Sequence, residues 1–114
     1  MTSSLRYPPA GYLSARTLAQ LLEPVAAETP YGGRAVSFEA LGSVWLRLDG
    51  RRRRERTEAG VTASIETATA ETRADPRLGE GRVVRFGGAD WTIAAVDGDP
   101  DRPGRVSLSL ERSR

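Results

Sequence analysis

From Val36 onward apolar and polar residues exchange places at every second position, and this period constrains the fold of the 114 residues more than any other feature. In "AVSFEALGSVWLRLDG" the set Val36, Phe38 and Ala40 alternates with polar neighbours, and beyond Gly42 so does the set Val44, Leu46 and Leu48. Successive strand residues point to opposite faces, so the pattern describes extended backbone with one buried side. The interruption at Gly42 predicts either two paired strands or one strand bent at a glycine bulge. "GVTASIETATAETRAD" continues the alternation, with Val61, Ala63, Ile65, Thr67 and Thr69 on one face and Thr62, Ser64, Glu66 and Ala68 on the other. Its small and β-branched residues suit a half-buried strand.

The last third reads as a meander. "GRVVRFGGADWTIAAVDGDPDRPGRVSLSLER" holds strands over 82–86, 91–96 and 105–111, joined by a Gly87-Gly88 turn and a loop of Asp, Pro and Gly. Short strands separated by turns predict an all-β fold, a small antiparallel barrel or sandwich of six or seven strands, because closure removes exposed edges. The segment 14–27, "SARTLAQLLEPVAA", reads differently. Leu18, Leu21, Leu22 and Val25 fall at helical spacing behind a Ser14 cap, so local propensity predicts a short helix broken near Pro24. "ETPYGGRA", 28–35, is a loop with turn residues, and 1–13, with Pro8, Pro9 and Gly11, is an extended arm. The expected domain is therefore 14–114, with a loop insertion at 50–60.

Composition narrows function. There is no cysteine and no histidine, which removes thiolate and imidazole ligands, a Cys nucleophile and the commonest acid–base group. No pair among the fifteen acidic residues stands out for general acid–base work. The expectation is a protein that is not an enzyme and holds no cofactor or metal. Asp97, Asp99 and Asp101 alternate as in half of a calcium loop, but Leu108 stands where that loop needs a glutamate, and Pro100 and Pro103 fit a rigid turn. No window has the apolar length of a signal core or a membrane span, so no membrane contact is expected. All seventeen basic residues are arginine, a bias that fits a GC-rich genome.

Five of those arginines, Arg51, Arg52, Arg53, Arg54 and Arg56, crowd into "DGRRRRERTEAG" between two predicted strands. A run of like charge suits a solvated loop. It also suits a polyanion or an acidic protein surface, although with no aromatic residue in the run it offers phosphate contact without sequence readout. Trp45 and Trp91 are expected to pack in the core or at a subunit interface.

The order of these motifs resembles the phage head–tail joining proteins, also called head-completion or stopper proteins. The resemblance rests on the "YGG" at Tyr31–Gly33, the Val44-Trp45 pair in "PYGGRAVSFEALGSVWLRL", the arginine-bearing connection and the Phe86-Gly87-Gly88 turn. An aromatic-x-Ile strand at Trp91–Ile93 and a final strand after an Asp-rich loop complete it. It implies a β-barrel in which the stretch from Arg16 is a strand and not a helix. It further implies a place in the virion neck of a tailed phage or gene transfer agent, assembled in the bacterial cytoplasm. There a homo-oligomeric ring of six or twelve copies, six being the number that suits a sixfold tail, would lie between the portal or adaptor ring and the tail-terminator ring, closing the channel on packaged double-stranded DNA and docking the tail. Arg51 to Arg54 and Arg56 would then face DNA in the channel or an acidic rim of the adaptor. A small OB-like barrel binding single-stranded nucleic acid is the alternative that the residues leave open.

Overall fold

The computed structural model describes residues 16–113, without the side chains of Arg54, Arg56, Glu58 and Ala63. The expected arm, 1–13, lies outside the described residues. The chain forms β1 (Arg16–Glu28), β2 (Arg34–Glu58), β3 (Val61–Arg73), β4 (Val83–Phe86), β5 (Ala89–Gly98) and β6 (Arg105–Ser113). Every pairing is antiparallel, and the six strands close as a barrel in the order β1-β2-β3-β6-β5-β4. The all-β expectation holds, and closure leaves few unpaired edges around the body.

The helix expected from propensity over 14–27 is strand β1. Two apolar periods overlap there, and the barrel selects the period of two: Ala19 and Leu21 are fully buried, whereas Leu18 and Val25, which belong to the helical set, are 52% and 40% exposed. Pro24 is tolerated because β1 pairs with β4 only through Leu22, so a missing N–H on that side leaves no ladder partner unsatisfied.

β2 is the longest element, 25 residues in one strand, and it belongs to two hairpins. Two extra residues bend it. Leu41 is inserted where Leu21 and Leu22 of β1 oppose Gly42 and Ala40, and Asp49 where β3 residues Ala70 and Thr69 oppose Leu48 and Gly50. Gly42 has φ 133°, a conformation open to glycine, and the guanidinium of Arg77 occupies the space a side chain there would need. Of the two readings of "EALGS", the bulged single strand is correct.

Inward residues fill the barrel. Leu46, Ile93, Leu108 and Leu110 are at most 1% exposed. Trp91 is buried against Phe86, with ring centroids 5.9 Å apart and planes nearly parallel. On β3 the inward row is Glu66, Ala68, Ala70 and Thr72, so small residues leave room for the two rings while a polar group stands at each end.

Both ends of β2 run past the barrel. Among the described residues, Glu23–Glu28 of β1, beyond Leu22, pair with β2 alone, and on the far side Val61–Ser64 of β3 do the same, since the described part of β6 joins β3 from Ile65. The molecule measures 67 × 32 × 29 Å with a radius of gyration of 17.3 Å. A compact domain of this length would have about 13 Å. The excess is the pair of hairpins.

Candidate functional site

The arginine run expected as a loop at 50–60 is paired strand almost to its tip. Arg51 lies opposite Ala68, Arg52 opposite Thr67, Arg53 opposite Glu66, Arg54 opposite Ile65 and Arg56 opposite Ala63. Only Ala59 and Gly60 turn the chain, both at positive φ, 52° and 79°, as a two-residue hairpin turn of this hand requires. The hydroxyls of Thr57 and Thr62, 2.9 Å apart, tie the strands just before the turn. Pairing with a partner rich in Thr, Ser and Ala gives the arginines a flat, uncrowded support. The repulsion that would keep such a run irregular is offset by a ladder of backbone hydrogen bonds.

The arginines divide by environment. Arg51 and Arg53 share a face with Glu66, and Arg52 takes the other face beside Thr67. Arg51 reaches back to the barrel mouth, its guanidinium 5.7 Å from the centre of the Trp91 ring and 4.0 Å from a Glu66 oxygen. Arg112 covers the same ring at 5.0 Å and donates to Glu66 at 2.8 Å. Glu66 is buried, so the cations that meet it satisfy a charge that would otherwise be costly. Arg52 and Arg53 are exposed and have no ion pair among the described residues. The side chains of Arg54 and Arg56 lie outside the described residues.

From Gly50 to Ile65 five arginines stand against Glu55 and Glu58, a net charge of +3. From Glu23 to Ala40 in the other hairpin, Glu23, Glu28 and Glu39 stand against Arg34, a net charge of −2. That hairpin carries exposed apolar residues, Tyr31, Val36 and Phe38. Its root is fixed by a short-range network. Arg82 donates to Glu23 at 3.0 Å and to the Arg77 carbonyl at 2.6 Å, while Arg77 donates to the Leu41 carbonyl at the bulge at 2.8 Å. The guanidinium and the backbone N–H of Arg77 both donate to the Asp75 carboxylate, and these hydrogen bonds lower the Asp75 pKa from 3.8 to about 2. Arg85, bound to Asp90 at 2.6 Å, lies over the Phe38 ring at 5.4 Å.

The two tryptophans part company. Trp91 is core, and Trp45 is 57% exposed on the outer face of β2. Beside Trp45 sits a carboxylate that sequence reading does not single out. Glu71 is bonded by Arg47 at 2.9 Å, by Arg105 at 3.2 Å and by Arg102. Burial works to raise its pKa, but hydrogen bonds from Arg105 and Arg102 and the charge of Arg47 outweigh it, and the net shift is downward. The signal was spread over three strands and a loop, out of reach of local spacing. The aspartates at 97, 99 and 101 make a turn: Asp99 accepts the Asp101 N–H at 2.9 Å and pairs with Arg102 at 3.0 Å. Among the described residues no group of three acidic side chains is placed to hold a metal ion.

Comparison with known proteins agrees with this architecture. The family model for phage head completion protein matches residues 14–108. A solved chain from the "Virion of native gene transfer agent (GTA) particle" superposes with a TM-score of 0.63 at 27% identity, covering 85% of this chain and 93% of that one. No curated protein matches the sequence. The arrangement described here is thus that of a structural part of a phage or phage-like particle.

Proposed function

Because this chain belongs to the family of phage head completion proteins, we propose that it is a neck component that forms a ring of six copies between the portal or adaptor and the tail terminator. In that ring it closes the channel on packaged double-stranded DNA and gives the tail its docking surface. The observation that carries this reading is the arginine hairpin. It stands clear of the barrel on a rigid ladder, with Arg52 and Arg53 exposed and unpaired among the described residues. Repeated by rotation, such hairpins make a positive collar, and a focused field of that sign holds a polyanion. An acidic rim on the adaptor is the protein surface of matching charge.

Arg52→Ser with Arg53→Ser tests the proposal in particles. Both residues are exposed, so folding is expected to change by less than about 0.5 kcal/mol. Particles should lose packaged DNA or fail to acquire tails, seen by electron microscopy and nuclease sensitivity. Wild-type titre from the double variant would overturn the role given to the hairpin. Deleting the gene tests the neck assignment itself, which predicts full-sized capsids without tails; normal tailed particles would overturn it.

The OB-like alternative needs cations and a stacking aromatic in one groove. Trp91 is buried under Arg51 and Arg112, and Trp45 stands on the barrel wall, before the arginine run on β2. Neither ring is open to a base beside Arg52 and Arg53.

A further inference from the structure

β2 and β3 part company below Arg47. Their ladder runs from Arg47 opposite Glu71 out to the hairpin tip, so β2 residues Arg34–Leu46 have β1 on one side and no described strand on the other. In the fork lies a cavity of about 310 Å³ lined in part by Arg16, Ser43, Trp45, Arg47, Glu71 and Arg73. The Trp45 carbonyl points into it, since it accepts a hydrogen bond from Thr72 Oγ1 at 2.7 Å. On an antiparallel strand the N–H of a residue points to the same side as its carbonyl, and so do the peptide groups two residues away. Ser43 therefore presents its N–H and carbonyl, and Trp45 its N–H, to the fork, while the Trp45 carbonyl is held by Thr72.

The charges around this edge are unbalanced. Glu71 is already satisfied by Arg47, Arg102 and Arg105, and Asp75, also on the cavity wall, by Arg77. Arg16 and Arg73 are exposed and have no ion pair among the described residues. Beside them the indole of Trp45 and its cross-strand partner Leu18, 57% and 52% exposed, form an apolar surface.

We propose that this fork is a docking site for an extended acidic peptide segment of another protein. The segment adds as a short strand along Ser43–Trp45, sets an aliphatic side chain on Trp45 and Leu18, and presents carboxylates to Arg16 and Arg73. A peptide fits better than a nucleic acid. A nucleic acid has no backbone donors and acceptors in the register of a strand edge, whereas a peptide supplies them along Ser43 and Trp45 and carries carboxylates to the arginines that line the same cavity. The site is independent of the neck role and of the arginine hairpin.

The test is a fluorescence titration of the full chain, in which Trp45 is the exposed reporter. The probes are a decapeptide of alternating aspartate and leucine, its lysine–leucine counterpart and a thymidine oligonucleotide. The acidic peptide should move the emission to shorter wavelength and saturate, and the signal should vanish in Trp45→Phe. Arg16→Ser with Arg73→Ser should weaken binding about tenfold or more at unchanged melting temperature. N-methylation at alternate peptide residues should weaken it in one register only, because only one set of N–H groups faces the edge. No shift with the acidic peptide, or an equal shift with the lysine peptide, overturns the proposal. A response to the oligonucleotide alone overturns it in favour of a nucleic-acid site.

Discussion

Each hairpin is fastened to the barrel by arginine held on a carboxylate, but the two roots are built in different ways. At the arginine hairpin the anion, Glu66, is inside the barrel mouth, and the cations come from the strands around it, with Arg51 and Arg112 also flanking the buried Trp91. At the apolar hairpin the cation Arg77 comes from the connection between β3 and β4, and it holds a backbone bulge in β2 instead of a side chain. The first root couples the hairpin to the core. The second couples it to a loop that has no strand pairing of its own. Position relative to the core, and not the identity of the ion pair, decides what each arginine contributes.

Replacing the inner face should break this distinction most severely. Leu46→Ala lies between the two roots at a fully buried position and is expected to cost about 2–5 kcal/mol in chemical denaturation. Val36→Ala, out on the apolar hairpin, should cost less than about 0.5 kcal/mol. Equal losses would mean that the hairpin is packed as tightly as the barrel.

The next largest effect isolates the core-coupled root. Glu66→Gln removes the anion shared by Arg112 and Arg51, with an expected loss of about 1.5–3 kcal/mol. The aromatic circular dichroism of Trp91 should change with it, because both cations over its ring lose their anchor. A stable variant with an unchanged aromatic signal would show that Trp91 holds the arginines unaided.

Acid should loosen the loop-coupled root. Asp75 has a pKa of about 2 in the fold against an ordinary 3.8, so its contribution is complete above about pH 4 and disappears as the pH falls toward 2. Asp75→Asn should flatten the acid limb of a stability profile in that window and leave Glu66-dependent signals alone. The smallest effect is at the tip. Ala59 has φ 52°, a conformation that asparagine adopts more readily, and Ala59→Asn should raise stability by up to about 1 kcal/mol without altering the barrel.

Much of this was legible from residue order. The meander from Val83, the burial of Val44 and Leu46, and the turn at Gly87-Gly88 all follow from alternation and turn chemistry. The buried face of β3 does not. Ile65 is buried although it lies on the row opposite Glu66, Ala68 and Ala70, and it is Ala68 and Ala70, making space for Trp91 and Phe86, that set the inward row. The strand character of Arg51–Arg56 was hidden because a run of one residue type has no period to read. The signal that was present is Ala59-Gly60 flanked by Thr57 and Thr62, which marks a two-residue turn and requires strands on both sides. The Glu71 cluster and the fork beside Trp45 depend on strands brought together by closure, and no local window contains them.

β2 has one further consequence. The same 25-residue strand reaches from the root of one tip to the other, so a pull between the tips is borne by one covalent backbone. Its ladders with β1 and β3 run along that pull and hold the strand extended, so they are not opened one after another as in unzipping. The domain is thus a tension member, stiffest along the line that joins its acidic end to its basic end.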